Sequence, residues 1–385
     1  MFQHIEAAYL FLLVSSVLIV IGVLILLFLK YRQTYLTREK ERLHRKHKEY
    51  VAYVLAHLDA DQPLEMPVGP LEKLDLIVLE ELLIEIAERV KGKHRMKVGE
   101  LFEKLGLPEL EISRLQQLPG PMRSDAAYKL GAMGYEKATP ALFAAWESEK
   151  DEAGRYIIAR AIARCTKTVA DLRKMVENMI ACGADSPRLL AELLQDSPLD
   201  LQPLLREWMT SEDHRFVLVS LACLPATAVD EGWTECLWRQ VQSVEKEVRI
   251  QSAKRLLTVD ELAADRIQAL LTHPDWEIRA LIVKAIGGWQ KESYVPELLA
   301  AIEDENWWVK YHAARSLVRV GEEGFRALCE IAARTTRKET ADLALQLIQE
   351  ALREERSSLA SAKNHSTRRT IYNDTFQRQQ QRVIS

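Results

Sequence analysis

Three hundred and eighty-five residues exceed what one compact core holds, and suit two domains or one extended array of repeats. Hydrophobic residues make up 48% and charged residues 28%, which excludes a wholly disordered chain and a many-span membrane protein. The net charge is −4, and the five cysteines, odd in number and without a CxxC pair, exclude a disulfide scaffold and a cysteine-based zinc site and suit a reducing compartment.

Few glycines and prolines, with abundant Ala, Leu, Glu, Lys and Arg, predict a mostly helical chain. Ala7–Leu29 is a run of 23 residues without a charge. As a helix it is about 35 Å long, enough to cross the hydrocarbon core of a bilayer with slight tilt. Its rivals are a buried core helix, seldom apolar all round for this length, and a cleavable signal peptide. The signal peptide needs a basic start, which Met1–Glu6 lacks, and a small-residue cleavage site, which does not occur before Lys30. The stretch is read as an uncleaved anchor.

No Lys or Arg precedes this run, whereas Lys30, Arg32, Arg38, Lys40, Arg42, Arg45, Lys46 and Lys48 follow it. The positive-inside rule then predicts a single-pass protein of the cytoplasmic (inner) membrane, its N-terminus outside and the remainder in the cytoplasm. The same eight side chains are candidates for contact with anionic headgroups, at about 1 kcal/mol each near the surface. They serve equally well as a topology determinant on a solvated helix face, and both readings stand.

Residues 1–29 thus form a short extracytoplasmic N-terminus and transmembrane helix, and 30–58 a basic juxtamembrane helix with Leu36, Leu43 and Tyr50 at seven-residue spacing. Three prolines and a glycine make 59–70 a linker or sharp turn. Residues 71–120 read as a helical cap. Leu71–Val90 carries two apolar stripes and so needs neighbours on both sides, and 97–118 gives two shorter helices broken at Gly106–Pro108. Residues 1–29 carry −1, 30–50 carry +5 and 357–385 carry +4, which leaves −12 for 51–356. An acidic body repels phosphate backbones, which argues against nucleic acid as a partner.

From 121 to 356 the chain repeats. Three, four and seven places after a basic anchor stand small or branched residues: Ala126, Ala127 and Leu130 after Arg123; Ile158, Ala159 and Ile162 after Arg155; Ser252, Ala253 and Leu256 after Arg249; Ile282, Val283 and Ile286 after Arg279; Ala313, Ala314 and Leu317 after Lys310. Arg337 fits less well, and Arg188 and Arg215 only loosely. Such residues share one helix face and permit close packing. Gly131–Gly134, Gly287–Gly288 and Gly321 are read as turns in phase with the anchors, and Asp275 and Asp304 as caps of the helices that follow. Pro140 and Pro296 sit at helix starts, where a missing N–H is harmless. No unit of this kind buries its apolar face alone, but a stack does.

Asp275-Trp-Glu-Ile-Arg279-Ala-Leu-Ile-Val-Lys-Ala-Ile-Gly287, the equivalent run Asp304–Gly321, and Arg123–Leu142 resemble the signature of the HEAT repeat family in its short bacterial form. The resemblance spans about 121–352 and blurs between Cys182 and Trp238. It implies an all-α fold, an α-α superhelix whose concave inner surface holds a protein partner. Among enzymes of this type, the iron-binding hydroxylases carry His-Glu pairs, and none of the nine histidines here precedes a Glu. HEAT-type glycosylases need a basic inner surface, and phycobilin lyases have no evident use for a bilayer anchor. No phosphate loop, dinucleotide fingerprint or nucleophile elbow occurs. His44 and His47 lie among cations and read as solvated, and Glu80-Glu81 and Glu303-Asp304-Glu305 as solvated helix faces rather than acid/base pairs. No catalytic residue, metal site or cofactor is expected.

Trp276 and Trp307 occupy the same repeat position 31 residues apart, with Trp308 adjacent. With Arg279 and Lys310 they form a candidate partner-binding rim, although tryptophans at such positions also plug turns between repeats. The tail 357–385 is polar and basic and is expected to be disordered. The sequence supports a membrane-anchored scaffold or adaptor for a protein partner, a membrane-embedded complex such as a polysaccharide synthase or transporter. Alternatives are a HEAT-type enzyme of the lyase or modification class and a regulatory module capturing a soluble protein.

Overall fold

The computed structural model describes residues 2–60, 62–224, 231–258, 262–357 and 367–377, and every regular element among them is a helix. The chain divides into two units, Met1–Ala184 with Glu192–Leu201, and Asp185–Ala191 with Gln202–Ser385.

The first unit begins with one unbroken helix, α1 (Phe2–Ala56), followed by α2 (Lys73–Arg89), α3 (Lys93–Lys104), α4 (Leu107–Gln117), α5 (Gly120–Met133), α6 (Thr139–Ser148), α7 (Glu152–Cys165) and α8 (Val169–Ala181). The apolar part of α1 is long and apolar enough to cross a membrane, and none of its most apolar window is buried by protein. Its later turns dock on α2. Leu43 and Val54 are buried and Tyr50 is half-buried, whereas Leu36 remains exposed, so the seven-residue spacing marks a docking face only from Leu43 onward. Of the two stripes of α2, Leu79, Leu83 and Ile86 of the first are buried, but only Val78 of the second is; Leu71, Leu74 and Leu82 are half-buried, and Ile84, outside both stripes, is buried. The turn 59–70 is tied rather than loose. Leu64 is buried, the Tyr50 hydroxyl donates to the Glu65 carbonyl at 2.7 Å, and the Lys104 ammonium to the Leu64 carbonyl at 3.1 Å.

Helix α9 (Pro187–Gln195) has residues assigned to both units. The second unit continues with α10 (Gln202–Trp208), α11 (His214–Cys223), α12 (Glu231–Val241), α13 (Lys246–Leu256), α14 (Ala264–Leu271), α15 (Trp276–Trp289), α16 (Val295–Ala301), α17 (Trp307–Val320), α18 (Glu322–Arg334) and α19 (Lys338–Ser357), and a last helix, α20, covers 367–377. The five clear anchors, Arg123, Arg155, Arg249, Arg279 and Lys310, each stand at the fourth residue of their helix, while Arg188 and Arg215 stand at the second. That shift explains the blurred stretch, which coincides with the division between the units.

Three expectations need correction. Gly131 and Gly287 do not mark turns. They lie inside α5 and α15 at equivalent positions, where the next repeat presses on the backbone. A Cβ on Gly131 would stand 2.9 Å from the Cα of Ala161, and one on Gly287 would stand 2.3 Å from the Oγ of Ser316. The helices end later, at Gly134 and Gln290, both left-handed. Asp275 does not cap α15 with its side chain, and α17 is capped by Asn306, whose Oδ1 accepts from the Trp308 amide at 2.9 Å. Part of the tail is ordered: in α20, Ile371 is buried and the Arg368 guanidinium donates to the Val318 carbonyl at 3.1 Å and covers the Phe325 ring. The rest of 357–385 lies outside the described residues, apart from Ser357, the last residue of α19.

Close approach at Gly287 yields a test. Gly287→Ala forces α15 and α17 apart and lowers stability by about 1–3 kcal/mol. Gly288→Ala, whose Cβ meets nothing within 4 Å, leaves stability intact. Thermal unfolding of the two variants measures the difference.

Candidate functional site

The turns before four of the anchored helices present carbonyls, and Arg123, Arg155, Arg249 and Arg279 reach back to them. Arg279 donates through Nη1 to the carbonyls of His273 at 2.8 Å and Pro274 at 3.0 Å. Its other nitrogens grip Asp304, at the start of the next repeat, in a fork of 2.8 and 2.9 Å. Arg249 repeats the arrangement, donating to the carbonyls of Ser243 and Val244 and to Asp275 at 2.6 Å. Planar, bidentate guanidinium geometry suits this double task. The Arg249 bond holds the Asp275 carboxyl below its usual range; at Asp304 burial works the other way, but Arg279 and the Asn306 amide outweigh it. Arg279 is therefore a buried staple between repeats. Asp275 and Asp304 serve the same staples.

The tryptophans behave differently. Val309, Ala313, Ala314 and Leu317 turn one face of α17 inward, which leaves 307, 308, 311 and 312 on the outer face at helical spacing. Trp307 is 53% and Trp308 50% exposed. Their rings meet edge to face at 4.9 Å, Trp307 stacks on Tyr311 at 5.3 Å, and Trp308 lies over His312 at 6.2 Å. The result is a continuous aromatic ridge. Burial first, then the neighbouring charges of Lys284 and Arg315, holds the His312 imidazole below its usual range, so the ridge is flanked by positive charge. Trp276 sits at the equivalent start of α15 but is half-buried, and Lys310 is half-buried beside Asp304. Of the five rim residues, only Trp307 and Trp308 meet ring to ring. Tyr311 and His312, four residues beyond them, complete the ridge and were legible from that spacing alone. Lys284 is contributed by a different helix and was not.

Among the juxtamembrane cations, Lys30, Arg32, Arg38, Arg42, Arg45 and Lys48 are exposed. Lys40 and Lys46 are engaged by α2 instead: Lys40 pairs with Glu81 at 2.6 Å and Lys46 with Asp75 at 2.7 Å. His47, expected to be solvated, is buried because its Nε2 lies 2.8 Å from Asp75. Asp75 thus takes two side chains of α1 while also accepting the Glu72 amide of its own helix. Desolvation would raise its carboxyl, but those three donors hold it low. Glu80 is likewise buried rather than solvated.

A groove of about 790 Å³ in the first unit is lined by Arg95, Phe102, Tyr135, Arg164 and Asp196. Two of its cations are already occupied, Arg95 by the Gly131 carbonyl and Arg164 by Glu88 and Asp196. All five cysteines are free, and burial pushes Cys165, Cys223 and Cys329 up to about 12, so these three are inert thiols. Among the described residues, no three His, Cys, Asp or Glu side chains converge as metal ligands would.

The HEAT repeat family model matches residues 263–362, the stretch that holds the ridge and the Arg279 staple. No curated protein matches the chain. Solved structures similar to it include an engineered protein at 16% identity, covering 87% of this chain and 99% of that one with a TM-score of 0.34. Human deoxyhypusine hydroxylase, in complex with glycerol, follows at 16% identity, 78% and 96% coverage and a TM-score of 0.26. The CpcE–CpcF complex of phycocyanin lyase from Nostoc sp. is similar at 18% identity, 70% and 94% coverage and a TM-score of 0.24.

The staple and the ridge separate under mutation. Arg279→Met strands Asp304 and removes about 3–5 kcal/mol of stability. Trp307→Ala and Trp308→Ala each stay within about 0.5 kcal/mol of the parent. Denaturant unfolding of the three variants checks both halves. Acid should weaken the staples as well. The carboxyls of Asp275 and Asp304 are lowered in the folded state, so their contribution is present above the ordinary aspartate range and is lost as pH falls through it, which a thermal-unfolding series from about pH 6 to 3 reads.

Proposed function

We propose that the chain is a membrane-anchored scaffold whose HEAT repeats hold a protein partner at the bilayer, without chemistry of its own. The observation that carries this reading is the exposed aromatic ridge of Trp307, Trp308 and Tyr311 on an outer face of a HEAT-repeat helix. Exposed tryptophans cost solubility, and large, rigid aromatic surface is what protein interfaces use as anchors. The flanking Lys284 and Arg315 suit a partner that presents acidic groups beside an apolar one.

The apolar start of α1 supports the anchoring half. It is read as a single span with its N-terminus outside and both helical units in the cytoplasm, an orientation that rests on the basic flank beginning at Lys30. Confinement to a thin layer raises the effective concentration of the repeats for membrane partners, so the partner is taken to be a membrane-embedded complex, of the kind that makes or moves a polymer or solute.

Two measurements test this reading. After cell fractionation and a high-salt wash the full chain stays with the membranes; recovery in the soluble pool would overturn the anchor. Solubilised in mild detergent, the tagged full chain co-purifies a membrane protein. Trp307→Ala with Trp308→Ala lowers that recovery at least tenfold, as the loss of hot-spot anchors implies, while the unfolding midpoint holds. Unchanged recovery sinks the ridge as the binding face.

A further inference from the structure

α2 is packed between the stem and the first repeat, and it carries a buried acid toward each. Asp75 faces α1 and is fully satisfied by Lys46, His47 and the Glu72 amide. Glu80 faces α4 and α5, and it is not. Glu80 is 1% exposed, and Glu111 of α4, which faces the same Lys129 ammonium, is 0% exposed. Lys129 of α5 donates to Glu80 Oε2 at 2.8 Å and stands 3.7 Å from Glu111 Oε1, which Arg114 of α4 also bonds. Each acid is left with one buried oxygen that no donor reaches, Oε1 of Glu80 and Oε2 of Glu111.

Two neighbouring carboxylates with two orphan acceptors lack one thing, a donor between them. A single proton supplies it. Placed on one carboxyl, it gives an O–H that the other accepts, and it removes one of two like charges from a site shielded from water. We propose that Glu80 and Glu111 bind one proton between them, forming a carboxyl–carboxylate pair under Lys129 that fastens α2 to the first repeat.

The surrounding charges agree. α4 brings Glu111 and Arg114, and α5 brings Lys129 and, 3.4 Å from it, the largely exposed Asp125. The charged groups of the other helices packed on α2 are engaged elsewhere. On α1, Lys40 pairs with Glu81, and Lys46 and His47 with Asp75. On α3, His94 meets Asp59, and Arg95, Lys97 and Lys104 donate to the carbonyls of Gly131, Ala60 and Leu64. One proton therefore sets the charge of the cluster. Burial pushes Glu80 up to about 7, with Lys129 opposing and Glu111 adding to the shift. The folded form binds the proton more tightly than the unfolded chain, so its contribution is complete below the ordinary glutamate range and is lost as pH rises through about 7.

The test uses the full chain in detergent and is independent of any partner. At about pH 6 the infrared spectrum shows the C=O stretch of a protonated, buried carboxyl, which disappears on titration to about pH 8.5 and is missing from Glu80→Gln. That variant is neutral at every pH, keeps an acceptor for Lys129 and brings an N–H to Glu111. Its melting temperature shows no fall over the same range, while that of the parent falls relative to it and ends about 2–4 °C below it. Glu111→Gln behaves the same way. Parallel pH profiles for parent and variants overturn the proposal. So does a parent spectrum without the carboxyl band, which decides the matter even if a variant fails to fold.

Discussion

Everything in the repeat region follows from one constraint: a pair of short helices has apolar surface on both sides and is stable only when a neighbour comes very close. At α5 and α7 the approach is so tight that only hydrogen fits at Gly131, and at α15 and α17 the same holds for Gly287. Close contact at one end of a helix would still allow the pair to pivot. The single Arg249–Asp275 bond and the Arg279–Asp304 fork prevent this at the other end by joining each turn to the next. A charge buried this deeply contributes specificity of arrangement more than net stability, since its desolvation offsets most of its attraction. Small residues set the distance between repeats, and the arginines set their angle.

This explains which parts were legible in the sequence. A basic residue followed at three, four and seven by small or branched ones is a one-dimensional trace of both devices, and where the anchor slips from the fourth to the second helical residue, as at Arg188 and Arg215, the trace fades. The glycines were visible but their purpose was not. A glycine needed for a neighbour's approach looks the same as one needed for a turn, and only the contact with Ser316 or Ala161 distinguishes them. His47, Asp75, Glu80 and Glu111 were hidden for a different reason. A polar residue in a helical pattern reads as solvent-facing, and its partner lies far along the chain, as Lys129 does from Glu80. The helix in the tail was missed because Ile371 is its one buried apolar residue, too sparse a signal to show a period.

The stem and its plate form a second, polar device. α1 passes without a break from its apolar start to the turns that carry Lys40, Lys46 and His47, so the position of its apolar end is transmitted rigidly to α2. α2 answers with Glu81 and Asp75 on that side and Glu80 on the other. An apolar seam alone tolerates sliding by a turn. Buried acids do not, because any slip leaves a charge without its partner. The polar residues of α2 therefore fix the register at which stem and first repeat meet.

A residue that holds the repeats together is a poor candidate for holding anything else. Arg279 and the Asp residues are consumed by the stack, and replacing them would loosen it before any ligand felt the change. Trp307 and Trp308 are half-exposed, touch chiefly one another and their own helix neighbours, and stabilise nothing that Val309, Ala313 and Leu317 do not already hold. Their stacking on Tyr311 and His312 nevertheless fixes the rings in place. Rings already ordered lose little freedom on binding, so the contact area they offer converts to affinity more fully than that of long, mobile side chains. The outer face of α17 is thus free to diverge without disturbing the fold, while the staples beneath stay fixed.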